Sequence, residues 1–202
     1  LIVLISLDAV GFKLTFLLAG SAALFVGIGL GIQKIFQDIM AGLIILFGKT
    51  VKIDDIIEVD GIIGKVTDIG FRVSTIITRD DIDIIVPNSK FVNDNVINWS
   101  HHEHMTRFKV SVGVAYGSDV QLVKKLLLDC AEKHPEILMK NKPFVRFSDF
   151  GDSSLNFELY FWSSNIFRVE NIMSDLRFMI DDAFRKNQVT IPFPQRDVHI
   201  ID

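Results

Sequence analysis

The first strong pattern in the chain is an apolar segment without a charge, which covers residues 14–33. A helix over these twenty residues rises about 1.5 Å per residue and spans roughly 30 Å, the thickness of a bilayer's hydrocarbon core. The pattern therefore predicts a transmembrane helix. A buried helix of a soluble enzyme is the alternative, but it seldom runs so far without a charge. A signal peptide is disfavoured because no basic region precedes the segment.

Residues 1–13 predict the end of a preceding membrane helix followed by a turn. Residues 1–7 are apolar, and Asp8, Gly11 and Lys13 interrupt the apolar run. Because residue 1 is leucine rather than methionine, we expect the chain to be a fragment or a processed product.

Small and large side chains fall on different faces of the predicted membrane helix. At about 100° per residue, one stripe consists of Ala19, Ala22, Ala23, Val26, Leu30 and Gln33. The glycines beside this stripe are Gly20, Gly27 and Gly31 on one flank and Gly29 on the other. Small residues let membrane helices approach closely. Glycines on both flanks therefore predict neighbours on both sides, as in a ring whose axis the stripe faces. A simple helix dimer, which needs only one small-residue face, is the alternative.

The segment after the span predicts an amphipathic break at residues 34–38. Residues 39–48 carry no charge, but ten residues are too few to cross a bilayer. They predict an interfacial or bent helical continuation. Lys34, Lys49 and Lys52 follow the span, whereas only Lys13 closely precedes it. This asymmetry places the C-terminal side in the cytoplasm.

Short strands rich in Ile, Val and Thr come next. They are predicted at residues 57–59, 64–69, 72–78, 82–86 and 96–99. Turn residues separate them at Asp60-Gly61, Arg79-Asp80-Asp81 and Pro87-Asn88-Ser89. Five strands in about fifty residues predict a small β-barrel over residues 49–100.

The remaining pattern predicts a β-α-β-β-α order over residues 101–188, which is ferredoxin-like. The strands are predicted at residues 108–114, 144–147 and 155–161. Ser118 or Asp119 can cap the first helix, and apolar spacing marks the second helix over residues 169–183. Residues 189–202 predict a linker stiffened by Pro192 and Pro194, followed by a terminal strand at 198–201.

Composition and charge narrow the possible functions. Hydrophobic residues make up 49% and charged residues 23% of the chain, which excludes intrinsic disorder. The net charge of −4 argues against non-specific nucleic-acid binding. Cys130 is the single cysteine, so an internal disulfide is impossible and a reducing compartment is favoured. Its place on an apolar helix face predicts a core residue rather than a nucleophile.

No catalytic motif, metal site or cofactor site is predicted. The sequence contains no P-loop, dinucleotide fingerprint or nucleophile elbow. His101, His102 and His104 with Glu103 resemble a metal cluster, but only His102 and His104 would share a face of an extended segment. We interpret this segment as a polar linker. We interpret the acidic segment that contains Asp80, Asp81 and Asp83 as a solvated turn rather than a calcium site.

The order of these elements resembles the mechanosensitive channel of small conductance (MscS) family. The motifs that carry the resemblance are Val26-Gly27-Ile28-Gly29-Leu30-Gly31, Ala41-Gly42-Leu43-Ile44-Ile45-Leu46-Phe47, Ile85-Val86-Pro87-Asn88-Ser89-Lys90, Gly113-Val114-Ala115-Tyr116-Gly117-Ser118-Asp119 and Pro192-Phe193-Pro194-Gln195. The resemblance extends over nearly the whole chain. The resemblance implies a membrane protein of the α+β class, with a pore-lining transmembrane helix, an Sm-like β-barrel, a ferredoxin-like α/β domain and a C-terminal strand.

The resemblance also implies a function and its partners. The implied assembly is a homoheptamer in the bacterial inner membrane, multi-pass, with its C-terminal domains forming a hollow cytoplasmic vestibule. Membrane tension would open the pore and release ions and small solutes on hypo-osmotic shock. No enzyme activity, cofactor or nucleic-acid partner is implied, and membrane lipid surrounds the protein. The alternative is a membrane-anchored Sm-like module that binds RNA or protein; a membrane-bound enzyme is third.

The resemblance assigns roles along the first helix. Its two hydrophobic pore rings align with Val26 and Leu30, which the helical stripe independently places on the axis. Ala19, Ala23 and Gln33 would line the pore above and below. The best-known family member has a glycine hinge where this chain has Lys34, so the bend is expected there or at Gly42.

Overall fold

The computed structural model describes residues 14–100, 105–196 and 198. The chain divides into two compact units, one containing the residues up to Asp54 with Val66–Val96, the other Asp55–Lys65 with the residues from Ile97 onward. The predictions for residues 1–13, for His101–His104 and for most of the terminal strand lie outside the described residues.

Helix α1 runs from Leu14 to Gly48 as one uninterrupted helix of 35 residues. Its segment Leu18–Gly48 is long and apolar enough to cross a membrane, judged by length and composition. The predicted helix is therefore confirmed, but the break predicted at residues 34–38 is wrong. Neither glycine nor proline occurs in that segment, so nothing interrupts the backbone hydrogen bonds of the helix.

One face of the last turns of α1 is buried within the first unit. The buried residues are Asp38, Ala41, Gly42 and Ile45, whose spacing is that of a helical stripe facing a core. The other faces carry exposed apolar side chains such as Met40 and Phe47. The predicted continuation is thus helical, and protein covers one of its faces.

Five short strands follow α1 and form one sheet in the order β4-β3-β2-β1-β5. The strands are β1 (Ile56–Val59), β2 (Ile62–Ile69), β3 (Val73–Thr78), β4 (Asp83–Pro87) and β5 (Ile97–Asn98). Every strand predicted in this region is confirmed with small shifts of its limits. Asp60 and Gly61 both have positive φ angles, 52° and 78°, as expected for the predicted two-residue hairpin turn.

A short helix that the sequence did not predict joins β4 to β5. Helix α2 (Asn88–Asn93) begins directly after Pro87, the last residue of β4. Six residues are too few to show a helical period, so only a turn was predicted here. Asn88 and Phe91 of this helix are buried.

The second unit contains the predicted β-α-β-β-α order. Strand β6 (Thr106–Val114) is followed by helix α3 (Val120–Lys133), strands β7 (Phe144–Phe150) and β8 (Leu155–Ser163), and helix α4 (Val169–Lys186). The strands form an antiparallel sheet in the order β6-β8-β7. One core between this sheet and the helices contains Val114, Leu127, Leu159, Phe161 and Ile172.

Two predictions of detail are confirmed in this unit. The Asp119 carboxylate caps α3 by accepting hydrogen bonds from the backbone N–H groups of Gln121 and Leu122 at 2.9 and 3.2 Å. Cys130 is buried in the core, and burial raises the pKa of its thiol. A buried, protonated thiol is a poor nucleophile, which agrees with the predicted core role.

Candidate functional site

The residues predicted to form a pore are exposed in the single chain. Val26 is 62% and Leu30 is 68% exposed, and Ala19, Ala23 and Gln33 are exposed as well. The opposite face of α1 is equally open, with Phe25 and Ile28 exposed. A helix that is apolar on all sides needs lipid or other protein around it. Their roles at a pore stay predictions, since one chain contains no ring.

The glycines of α1 upstream of Lys34 have open space beside them among the residues that the structure describes. A Cβ atom added at Gly20, Gly27, Gly29 or Gly31 would meet nothing within 4 Å. Nothing in the described part of the chain therefore requires these residues to be small. Contacts with other helices remain the predicted reason for their size.

Gly42 is different, because the chain itself leaves no room for a side chain there. A Cβ atom at this position would lie 2.4 Å from the carbonyl oxygen of Phe71 and 2.6 Å from Nδ2 of Asn88. Both atoms belong to the first unit. We call the contact of Asp38 and Gly42 with Phe71, Asn88 and Ser89 the clamp, because it holds the end of α1 against the segments that flank β3 and β4.

The buried polar side chains of the clamp are hydrogen-bonded. Asn88 is 0% exposed; its Nδ2 donates to the carbonyl oxygen of Gly70 at 2.8 Å and its Oδ1 accepts from the Ser74 hydroxyl at 2.7 Å. The backbone N–H of Ser89 donates to the Asp38 carboxylate at 3.4 Å. A buried polar network of this kind is costly to disrupt, because any group left unpaired loses its hydration without compensation.

Sequence analysis missed the clamp. Asn88 and Gly42 both stand in motifs that carry the family resemblance, but their mutual contact is not visible in any local pattern. The available signal was a carboxylate, Asp38, directly before the charge-free residues 39–48.

No site of metal chemistry is present in the part of the chain that the structure describes. Within it, no three His, Cys, Asp or Glu side chains come together in a way that could hold a metal ion. The acidic turn holds Asp81 at a φ of 59°, a value typical of a tight turn. His101, His102 and His104 are outside the described residues.

Comparison with known proteins identifies the family. The model of the mechanosensitive ion channel β-domain matches residues 34–101, and that of the MscS C-terminal domain matches residues 108–191. The small-conductance mechanosensitive channel of Helicobacter pylori is 30% identical over 98% of the chain and 72% of the relative. The chain belongs to the MscS family.

Solved MscS structures have the same fold. The crystal structure of H. pylori MscS in its closed state matches with a TM-score of 0.88 at 30% identity, covering 98% of this chain and 78% of that one. The cryo-EM structure of Arabidopsis thaliana MSL1 matches with a TM-score of 0.74 at 15% identity, over 95% of this chain and 70% of that one, and shows the likeness of fold alone. The predicted class, a membrane protein of the α+β type, is confirmed.

Other MscS relatives are much longer than this chain. The mechanosensitive channel MscK of Escherichia coli is 39% identical over 89% of the chain, but this is only 16% of MscK. The same shares apply to an uncharacterized MscS family protein of Haemophilus influenzae, also 39% identical. Notably, the β-domain match begins at residue 34, so the clamped end of α1 belongs to the region that this MscS domain model describes.

Proposed function

We propose that this chain forms the gate and the cytoplasmic part of a mechanosensitive ion channel. Such a channel opens under membrane tension and releases ions and small solutes on hypo-osmotic shock. The observation that carries the proposal is the upstream part of α1, whose described side chains are mostly apolar and exposed and whose glycines meet no other described part of the chain. Relatives named as mechanosensitive channels support it.

The proposed assembly is a homo-oligomer, a heptamer by family resemblance. In it, Gly20, Gly27 and Gly31 of one helix would pack against the Gly29 side of the next, and the bulky residues would face lipid. The assembly would lie in the bacterial inner membrane, multi-pass, with the domains after α1 in the cytoplasm. We propose no catalytic activity, no cofactor and no nucleic-acid partner, since the net charge of −4 opposes nucleic-acid binding.

In the proposed gate, Leu30 and Val26 form two stacked apolar rings. A narrow apolar ring sheds water and thereby blocks ions. Ala19, Ala23 and Gln33 line the rest of the pore. Tension favours the conformation with the larger area in the membrane plane, and helices that contact through glycine can tilt and slide at small steric cost.

The clamp restricts where the helix can bend. A bend at Gly42 has to pull this residue away from Phe71 and Asn88, against which it is packed. Lys34 lies one turn before the buried stripe and is exposed. We therefore propose Lys34 and its neighbours as the hinge, with the part from Asp38 onward moving together with the β domain.

Patch-clamp recording of the full-length protein in liposomes tests the function directly. We expect unitary currents that appear on suction and are absent from protein-free liposomes. A silent protein that instead retains RNA on filters in a salt-sensitive manner supports the alternative of a membrane-anchored RNA-binding module.

The glycine contacts make a prediction about assembly. Gly31→Leu should weaken the oligomer and impair gating, because a bulky side chain blocks the close approach of the next helix. A Cβ atom at Gly31 meets nothing within 4 Å in the described part of the chain, so loss of folding is not expected. Native mass spectrometry and patch-clamp recording measure both effects. Normal assembly with unaltered gating contradicts the proposed packing.

The C-terminal linker makes a second prediction about assembly. The linker is attached to the turn between β7 and β8, because the backbone N–H of Gln195 donates to the Ser153 hydroxyl at 3.0 Å. Truncation before Arg196 removes the predicted terminal strand, which we propose pairs with copies of itself. The truncated ring should dissociate at lower collision energy in native mass spectrometry. Unchanged ring stability would exclude a terminal β-barrel.

A further inference from the structure

A histidine lies buried at the end of α3, where the chain leaves the helix and turns toward β7. His134 is the C-cap of α3, and Pro135 follows it. The side chain of His134 is 4% exposed. A polar ring in such a place needs hydrogen-bonding partners, so the partners of its two nitrogen atoms decide which form of the ring the fold accepts.

The two ring nitrogens of His134 have different roles. The backbone N–H of Glu136 donates to Nδ1 at 3.2 Å. A ring nitrogen that accepts a hydrogen bond carries no proton, so the proton of the neutral ring is on Nε2. Nε2 lies 3.8 Å from the carboxylate of Asp175 in α4, which agrees with this tautomer. The fold is therefore built around a neutral imidazole.

The segment that His134 begins connects three elements of the second unit. We call residues 134–138 the α3 exit. The backbone N–H of Leu138 donates to the carbonyl oxygen of Trp162 in β8 at 2.8 Å. Nδ2 of Asn165, between β8 and α4, donates to the Glu136 carboxylate at 2.7 Å. The hydrogen bond to Nδ1 thus fixes a segment on which β8 and the start of α4 also depend.

A proton on Nδ1 would turn this acceptor into a donor. Two N–H groups would then face each other, and the Glu136 N–H would lose its partner. Asp175 is the charged group that the structure places against the ring from α4, but its side chain is 63% exposed, so solvent screens its attraction. Along the chain, the charged neighbours are Lys133 in α3 and Glu136, whose carboxylate already binds Asn165. A buried cation is therefore poorly compensated here.

The geometry points to a proton-sensitive switch at the α3 exit. Neutral His134 holds the exit, and protonated His134 releases it. Histidine is the side chain whose ordinary charge change falls between pH 5 and 8. The stabilisation by the Nδ1 hydrogen bond is therefore present at neutral pH and is lost as the pH falls. Because Ile137 belongs to the core, release of the exit also loosens the core beside it. The switch concerns the second unit alone and does not depend on the proposed channel function.

Hydrogen–deuterium exchange of the full chain in detergent micelles tests the switch. Exchange is compared at about pH 7.5 and about pH 5.5, on either side of the histidine range, with labelling times adjusted for the intrinsic pH dependence of exchange. We expect the amides of the α3 exit to exchange roughly fivefold faster at the lower pH, the factor for the loss of one net hydrogen bond. The middle of α3 should keep its protection. Equal protection of the exit at both pH values overturns the proposal.

His134→Asn separates the acceptor from the titration. The side-chain oxygen of asparagine accepts from the N–H two residues further on, as Nδ1 does, in an Asx turn, but it does not gain a proton in this range. The exit of this variant should be equally protected at both pH values. An acid-induced loss like that of the wild type would assign the effect to another group and overturn the proposal. His102→Asn is the matched control and should keep the wild-type response; loss of the response in this variant also contradicts the switch.

Asp175→Asn tests the direction of the effect. It removes the carboxylate beside Nε2, and with it the partial compensation of the protonated ring. We expect unchanged protection of the exit at the higher pH and a larger acid-induced loss than in the wild type. If the acid-induced loss disappears instead, attraction between His134 and Asp175 drives the change, and the role assigned to Nδ1 is wrong.

Discussion

Cells that produce the Leu30→Ser variant are expected to leak ions and grow poorly, and patches should open at lower tension than wild type. In the proposed ring the Leu30 side chains are the main barrier to water. Serine at this position would allow water into the constriction. Transferring one leucine side chain from an apolar environment to water costs roughly 1.5 to 3 kcal/mol. In a ring, the substitution acts once in every subunit. Growth curves and patch-clamp thresholds measure the effect, which should be large because the barrier rests on apolar surface.

Ile28→Ser is the matched control for this substitution. Ile28 lies about 160° from Leu30 around the helix and is likewise exposed in the single chain. It should not produce a leak through the pore. Leak from Ile28→Ser together with an unchanged threshold in Leu30→Ser would show that the helix is rotated and that the predicted stripe does not face the axis.

Gly42→Ala should destabilise the first unit by about 1 to 3 kcal/mol, the usual cost of overpacking. The new methyl group meets a backbone carbonyl oxygen at 2.4 Å, which cannot rotate away. To accept it, α1 must lift from Asn88 and disturb the buried hydrogen bonds of the clamp. Thermal unfolding of the full chain measures the loss as a fall in Tm of about 2 to 10 °C.

Gly27→Ala separates the clamp from the general effect of replacing a helical glycine. Alanine is the better helix former by about 1 kcal/mol, and at Gly27 the added methyl group meets nothing within 4 Å among the described residues. This variant should keep or raise the Tm. If Gly42→Ala behaves in the same way, the close approach to Phe71 does not constrain the protein.

The sequence predicted the features that depend on neighbouring residues. Hydrophobic periodicity was enough for α3 and α4, the charge-free segment for the first part of α1, and turn residues such as Asp60 and Gly61 located the hairpins. A cap at Ser118 or Asp119 was predicted, and Asp119 forms it with N–H groups two and three residues further on. These features are local, so a window of the sequence contains all their causes.

The sequence-based predictions are wrong where the residues that determine the structure lie far apart in the chain. Lys34 and Asp38 suggested a break because they are charged, yet the Asp38 carboxylate is accommodated by a backbone N–H from another element. Helix α2 was missed because it is short and is fixed by Asn88, which pairs with Gly70 and Ser74. For the candidate site, the sequence predicts which residues share a face of α1. Their contacts with neighbouring subunits stay predictions, because the structure contains one chain.

The clamp can form only after a long segment beyond α1 has been synthesised. Ser89 lies 51 positions after Asp38, and translation at about 5 to 20 residues per second takes roughly 3 to 10 s to cover that distance. All of α1 has therefore been made well before its clamp partners leave the ribosome. During this interval the helix is free to enter the bilayer without its later attachment, and its C-terminal end is attached only afterwards.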